Sequence, residues 1–113
     1  MNVVIIDGIV QKDAKLFDQI ANFNISAITG RYVCVNNLVK NRFTYIRIIY
    51  PKPIDERIES ILKPGVLVRI YGKLDSEQYT SKSEKRVYNK IICADKIVAI
   101  KYDMNTGEYV EVT

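Results

Sequence analysis

The chain has 113 residues, 48% of them hydrophobic, and a formal net charge of +4, which is enough for one domain with a real core and too little for two. It contains no histidine, so the commonest general base, the Ser–His and Cys–His nucleophile pairs and the usual transition-metal ligand are missing. Its five glycines stand apart and form no Gly-rich phosphate loop; the expectation is a binding module, not an enzyme, with no metal and no cofactor.

In chain order, Asn2–Val10 is a β-rich run that ends near the turn-like Gln11-Lys12-Asp13. Residues 22–29 alternate, with Phe23, Ile25, Ala27 and Thr29 on one side. Gly30 is read as a break, followed by a hairpin arm over 31–41 that turns at Asn36-Asn37. The strand Arg42–Tyr50 comes next and is stopped by Pro51 and Pro53, since proline cannot donate to a ladder. Asp55–Leu62 has Ile54, Ile58, Ile61 and Leu62 at helical spacing, with Asp55, Glu56 and Glu59 placed to complement a helix start. Lys63-Pro64-Gly65 then reverses the chain into a strand over Val66–Gln78, where Gly72 suggests a sharp bend or a bulge. Thr80–Lys85 is a polar, basic loop and Arg86–Ile100 a last long strand. Val98–Tyr102 and Glu108–Val112 flank the turn signal Asn105-Thr106-Gly107, which predicts a terminal hairpin.

Three strands, a short helix and two long strands are the layout of an all-β OB-fold, a five-stranded Greek-key barrel with its helix between strands three and four. Residues 1–102 form the barrel domain in this reading, and 103–113 an extension that completes the terminal hairpin. Phe17 and Phe23 are assigned to the core, and Tyr50 to the inward side of its strand. No apolar run approaches the roughly 20 residues that cross a bilayer, and residues 1–10 lack a signal-peptide pattern. The cytoplasm is the expected location, with Cys34 and Cys93 as free thiols.

From Gln19 to Ile54 there is no acid, while Arg31, Lys40, Arg42, Arg47 and Lys52 supply five positive charges. Within that window, alternation puts Phe43, Tyr45, Arg47 and Ile49 on one strand face and Thr44, Ile46, Ile48 and Tyr50 on the other. Rings interleaved with guanidinium groups suit base stacking and phosphate neutralisation. Residues 66–78 repeat the pattern, with Arg69, Tyr71 and Lys73 sharing one side. The expected nucleic-acid contacts are Arg31, Tyr32, Arg42, Phe43, Tyr45, Arg47, Arg69, Tyr71, Lys73, Tyr79, Lys82, Lys85 and Arg86.

Over about residues 1–100 the chain resembles the bacterial single-stranded DNA-binding protein family. The resemblance rests on Val4-Ile-Ile-Asp-Gly-Ile-Val-Gln-Lys-Asp13, Ile20-Ala-Asn-Phe-Asn-Ile-Ser-Ala27 and Phe43-Thr-Tyr-Ile-Arg-Ile-Ile49. Leu62-Lys-Pro-Gly-Val-Leu-Val-Arg-Ile-Tyr-Gly-Lys-Leu74 and Tyr79 with Arg86-Val-Tyr88 complete it. The resemblance implies stacking aromatics at Tyr45, Tyr79 and Tyr32, and a homo-oligomer. It also implies sequence-tolerant binding of single-stranded DNA in replication, recombination or repair. Three features depart from the family: there is no tryptophan, Asp13 is followed by Ala14 where Asp-Pro is usual, and Glu108–Thr113 stands where the family has both a long Gly-rich linker and an acidic, apolar-tipped tail. Those departures suggest a specialised member, such as one from a plasmid or other mobile element. The alternatives are a primosome-type adaptor that docks a helicase, primase or polymerase, and binding of RNA by the same groove.

Overall fold

The computed structural model describes the backbone of residues 1–33, 36–37, 39–80 and 86–112, and the side chains of these except 28–33, 39–41, 79–80 and 86–88. Lys82, Lys85 and Cys34 lie outside the described residues. Among the described residues the strands are β1 (Val4–Val10), β2 (Lys15–Phe17), β3 (Ile20–Val33), β4 (Val39–Tyr50), β5 (Leu67–Thr80), β6 (Arg86–Asp103) and β7 (Glu108–Glu111), with one helix, α1 (Glu56–Ile61).

The sheet runs β1-β5-β6-β4-β3-β2, and an additional β1–β3 pairing closes five of the strands into a ring. All the pairings are antiparallel except β4–β6, where Arg47, Ile48 and Ile49 pair in parallel with Ile91, Ile92 and Cys93. This is the strand order and connectivity of an OB-fold, with the helix between the third and fourth barrel strands.

The period-two pattern decides which residues fill the ring. Val10, Phe23, Ile25, Ile48, Val68, Ile70, Ile92 and Ile97 are buried to within 1% and form one cluster with Ala21, Ala27, Tyr50 and Ala94. The helix closes one end. Asp55 caps it by accepting from the Ile58 amide at 2.8 Å, and Ile58 and Leu62 enter the core. The Arg57 guanidinium donates to the Ile97 carbonyl at 3.0 Å, fixing the helix to β6. Gly65 reverses the chain at φ +88 and donates to the Val10 carbonyl.

Three expectations need correcting. Gly30 does not break its strand: β3 continues to Val33 and absorbs one extra residue as a register shift between Ile28 and Gly30, a distortion that glycine tolerates. Phe17 is 59% exposed, not core, because it sits on the short edge strand β2, where Leu16 takes the inward position. That strand, paired with β3 through Lys15↔Asn22 and Phe17↔Ile20, was not anticipated. It has only three residues, too few to show a period.

Gly72 does sit at a bulge: Tyr71 pairs with Lys96 but Gly72 with Ala94, so Asp95 is the extra residue on β6. The backbones approach so closely that a Cβ at position 72 would collide with the Cys93 carbonyl oxygen and lie 2.9 Å from the Ala94 Cα. The terminal hairpin is present too, with β7 paired to β6 through Tyr102↔Tyr109 and Gly107 in the turn at φ +74. Asn37, at φ 65, supplies the left-handed turn residue between β3 and β4.

Candidate nucleic-acid interface

Strand β4 presents the first outward face. Thr44, Ile46, Ile48 and Tyr50 alternate with Phe43, Tyr45, Arg47 and Ile49, and burial of the first set deepens toward Ile48 and Tyr50. Tyr45 is 72% exposed and Phe43 about half exposed. An exposed aromatic ring on a β-strand can offer a face to a base and loses little freedom on contact, as a base-stacking platform requires. Ser26 stands directly across from Tyr45 on β3, and Asn24 across from Arg47.

Beside these rings is an open groove of about 240 Å³, bordered by Asp13, Lys15, Asn22, Asn24 and Arg47. Arg47 is held by two neighbours. Its Nε donates to Asn22 Oδ1 at 2.8 Å, and its Nη1 donates to Glu77 Oε1 on β5 at 2.5 Å. The guanidinium is therefore fixed in orientation, with its charge already partnered. Arg42 is exposed further along β4.

The second ring-and-cation run has a different fate. Arg69 and Tyr71 on β5 also point outward, but over β1, β6 and β7, away from Tyr45. Arg69 Nε and Nη2 grip the two carboxylate oxygens of Asp7 at 2.7 and 3.0 Å, and Nη2 also donates to the Tyr109 carbonyl at 3.1 Å. The hydrogen bond to Asp7 outweighs desolvation and holds the Arg69 proton above its ordinary affinity. The Tyr71 hydroxyl donates to Glu111 Oε2 at 2.7 Å, and Lys96 Nζ lies 5.3 Å from the centre of the ring. The Glu111 hydrogen bond, with desolvation second, raises Tyr71 above the usual tyrosine value. This network fastens the terminal hairpin to the barrel.

The structure thus brings Phe43, Tyr45, Arg47 and the exposed Arg42 together on β4 and separates Arg69 and Tyr71 from them. Lys73 is exposed on β5 opposite Cys93. For Arg31, Tyr32, Tyr79 and Arg86 only the backbone is described: the first two extend β3 opposite Asn41 and Lys40, and the last two lie in the β5–β6 arm. Sequence reasoning missed Asn22, Asn24, Lys15 and Glu77. The two asparagines alternate with Phe23 and Ile25, so their outward direction was there to be read. Glu77 gave no such signal, being 30 residues from Arg47.

No curated protein sequence matches the chain. Among solved structures, a Plasmodium falciparum single-stranded DNA-binding protein in complex with single-stranded DNA superposes with a TM-score of 0.67 and 18% identity, covering 100% of this chain and 96% of that one. A small single-stranded DNA-binding protein from Streptomyces coelicolor gives 0.67 and 14%, covering 93% and 96%. At these identities the likeness speaks for the fold. A model of the single-strand binding protein family matches residues 1–100, and with that match the chain belongs to the single-strand binding protein family.

Proposed function

We propose that this protein binds single-stranded DNA without sequence selection, on the outer face of β3 and β4, in replication, recombination or repair. The observation that carries this reading is the Tyr45 ring, held out on β4 two residues from Arg47 and next to the groove. Stacking on Tyr45 and Phe43 supplies a sequence-tolerant attraction, because every base has a π-face. Arg42 and Lys15 supply phosphate contacts, Arg47 lies beside them already bonded to Asn22 and Glu77, and the β5–β6 arm carrying Tyr79 and Arg86 extends the path. Family membership and the DNA-bound neighbour of the same fold support this reading. A homo-oligomer in the cytoplasm belongs to the same proposal, since Val3 and Ile5 leave apolar surface at β1 for a second subunit.

The test is fluorescence anisotropy with labelled oligo-dT, oligo-rU and duplex at two salt concentrations. Single strands should bind in preference to duplex, with a log–log salt slope of about −0.7 per neutralised phosphate. Equal affinity for duplex would sink the stacking reading, and tighter binding of oligo-rU would turn it toward RNA. A second reading, an adaptor that docks a replication enzyme, is favoured by the exposed Tyr102 and Met104 on the terminal hairpin. It predicts weak binding to every oligonucleotide.

A further inference from the structure

Besides Asp13 at the groove, Glu77 places a second carboxylate at the edge of a surface of rings and cations. It lies on β5, and its Oε1 meets Arg47 Nη1 at 2.5 Å while Asn22 holds Nε. Arg47 and Glu77 keep 39% and 26% of their side-chain exposure, so an incoming phosphate can reach the pair. A carboxylate and a phosphodiester oxygen offer a guanidinium the same kind of charged acceptor. Glu77 therefore occupies the bond that Arg47 would otherwise give to a nucleic-acid backbone.

That exchange costs every polyanion the same contact, but ligands differ in what else they can offer. A phosphate gains little by replacing an acceptor already in place, whichever strand carries it. Stacking on Tyr45 and Phe43 is untouched by Glu77 and is open only to exposed bases. Duplex DNA and other polyanions rely on charge alone, so they lose the larger share of their attraction. We propose that Glu77 sets the strength of charge-driven binding: by competing with phosphate for Arg47 it lowers the affinity for every polyanion by a similar factor, so that at working concentrations the ligands that stay bound are those with stackable bases. This inference rests on the reading of the β3–β4 face as a single-strand-binding surface.

The experiment uses the full chain with Glu77→Gln and, as a control for net charge, Glu59→Gln on the exposed side of α1. Both remove one negative charge, and only the first loosens Arg47. Labelled oligo-dT and a duplex of equal length are titrated at two salt concentrations. Glu77→Gln should tighten duplex and oligo-dT binding by a similar factor, about three- to tenfold, each with a salt slope steeper by about one phosphate's worth, 0.7–0.9. Glu77→Ala should move each readout in the same direction, and Glu59→Gln should move none of them by more than about 1.5-fold.

Three results would overturn the inference: Glu77→Gln behaving like Glu59→Gln, a gain confined to one of the two ligands, or weaker binding, which would make Glu77 a positioning partner of Arg47. Failure of the underlying reading is separable, because it would show in the unsubstituted chain as equal affinity for oligo-dT and duplex. The inference would then fall with it.

Discussion

Tyr45→Ala and Tyr71→Ala make a matched pair, since both delete a tyrosine from an outward strand position in a ring-and-cation run. Tyr45 is 72% exposed, so roughly a quarter of its surface is in contact. Scaling the 1.5–3 kcal/mol of a fully buried large side chain, its loss costs stability less than about 1 kcal/mol. Its loss as a stacking platform should weaken oligo-dT binding by about 1–3 kcal/mol, or roughly 5- to 150-fold in Kd. Tyr71 spends its hydroxyl on Glu111 and its ring on Lys96, over a different part of the barrel. Removing it should loosen the terminal hairpin and change oligo-dT affinity less than about twofold. Anisotropy measures the affinities, and urea denaturation followed by circular dichroism measures the stabilities. Equal losses of affinity in the two variants, or a larger loss for Tyr71→Ala, would refute the placement of the strand on β3–β4. Unfolding of Tyr45→Ala would refute the outward assignment of its ring.

Gly72→Ala should destabilise the fold by at least about 2 kcal/mol, because the new methyl meets backbone atoms of Cys93 and Ala94 that no rotamer change can move; an unchanged urea midpoint would refute so close an approach. Tyr71 also gives stability a pH dependence. Its folded value is raised above the ordinary 10 by Glu111, so the hydrogen bond stabilises fully below the unfolded value and is lost as pH climbs through the folded one. Urea midpoints at about pH 9 and 11 should therefore fall less in Tyr71→Phe than in the unsubstituted chain, and identical falls would count against the bond.

Much of the fold was legible because it follows from short-range rules. The proline stop after Tyr50, the acid-led start at Asp55, the bulge at Gly72 and the turn before Glu108 are each set by local backbone chemistry. Alternation likewise separated the inward Ile48 and Tyr50 from the outward Tyr45. What alternation cannot supply is direction around a closed ring. Tyr45 and Tyr71 are both outward, but their strands lie at different places on the barrel, so a shared composition did not make a shared surface. Nor does it reveal partners from distant segments: Glu77 reaches Arg47 across 30 residues and Glu111 reaches Tyr71 across 40. Those contacts decide which cations already have acceptors, and they become visible only once the ring is closed.

The ring is built from two leaves. One contains β2, β3 and β4, joined by the twelve pairs of β3–β4; the other contains β1, β5, β6 and β7, joined by the thirteen pairs of β5–β6 and the six of β1–β5. Among the described residues, the leaves meet at two narrow seams of three pairs each, β1–β3 and β4–β6. The edge strand β2 also has three pairs, but within the ring these seams hold the fewest, so openings smaller than global unfolding should part them first. Arg47 stands on one of them, bonded to Asn22 within its own leaf and to Glu77 in the other. A nucleic-acid strand on the proposed path, resting on Tyr45 and on the β5–β6 arm, would touch both leaves at once and act as a staple. Amides along β4 and β6 near Ile48 and Ile92 should then slow their hydrogen exchange when the strand is bound, more than amides in the middle of either hairpin.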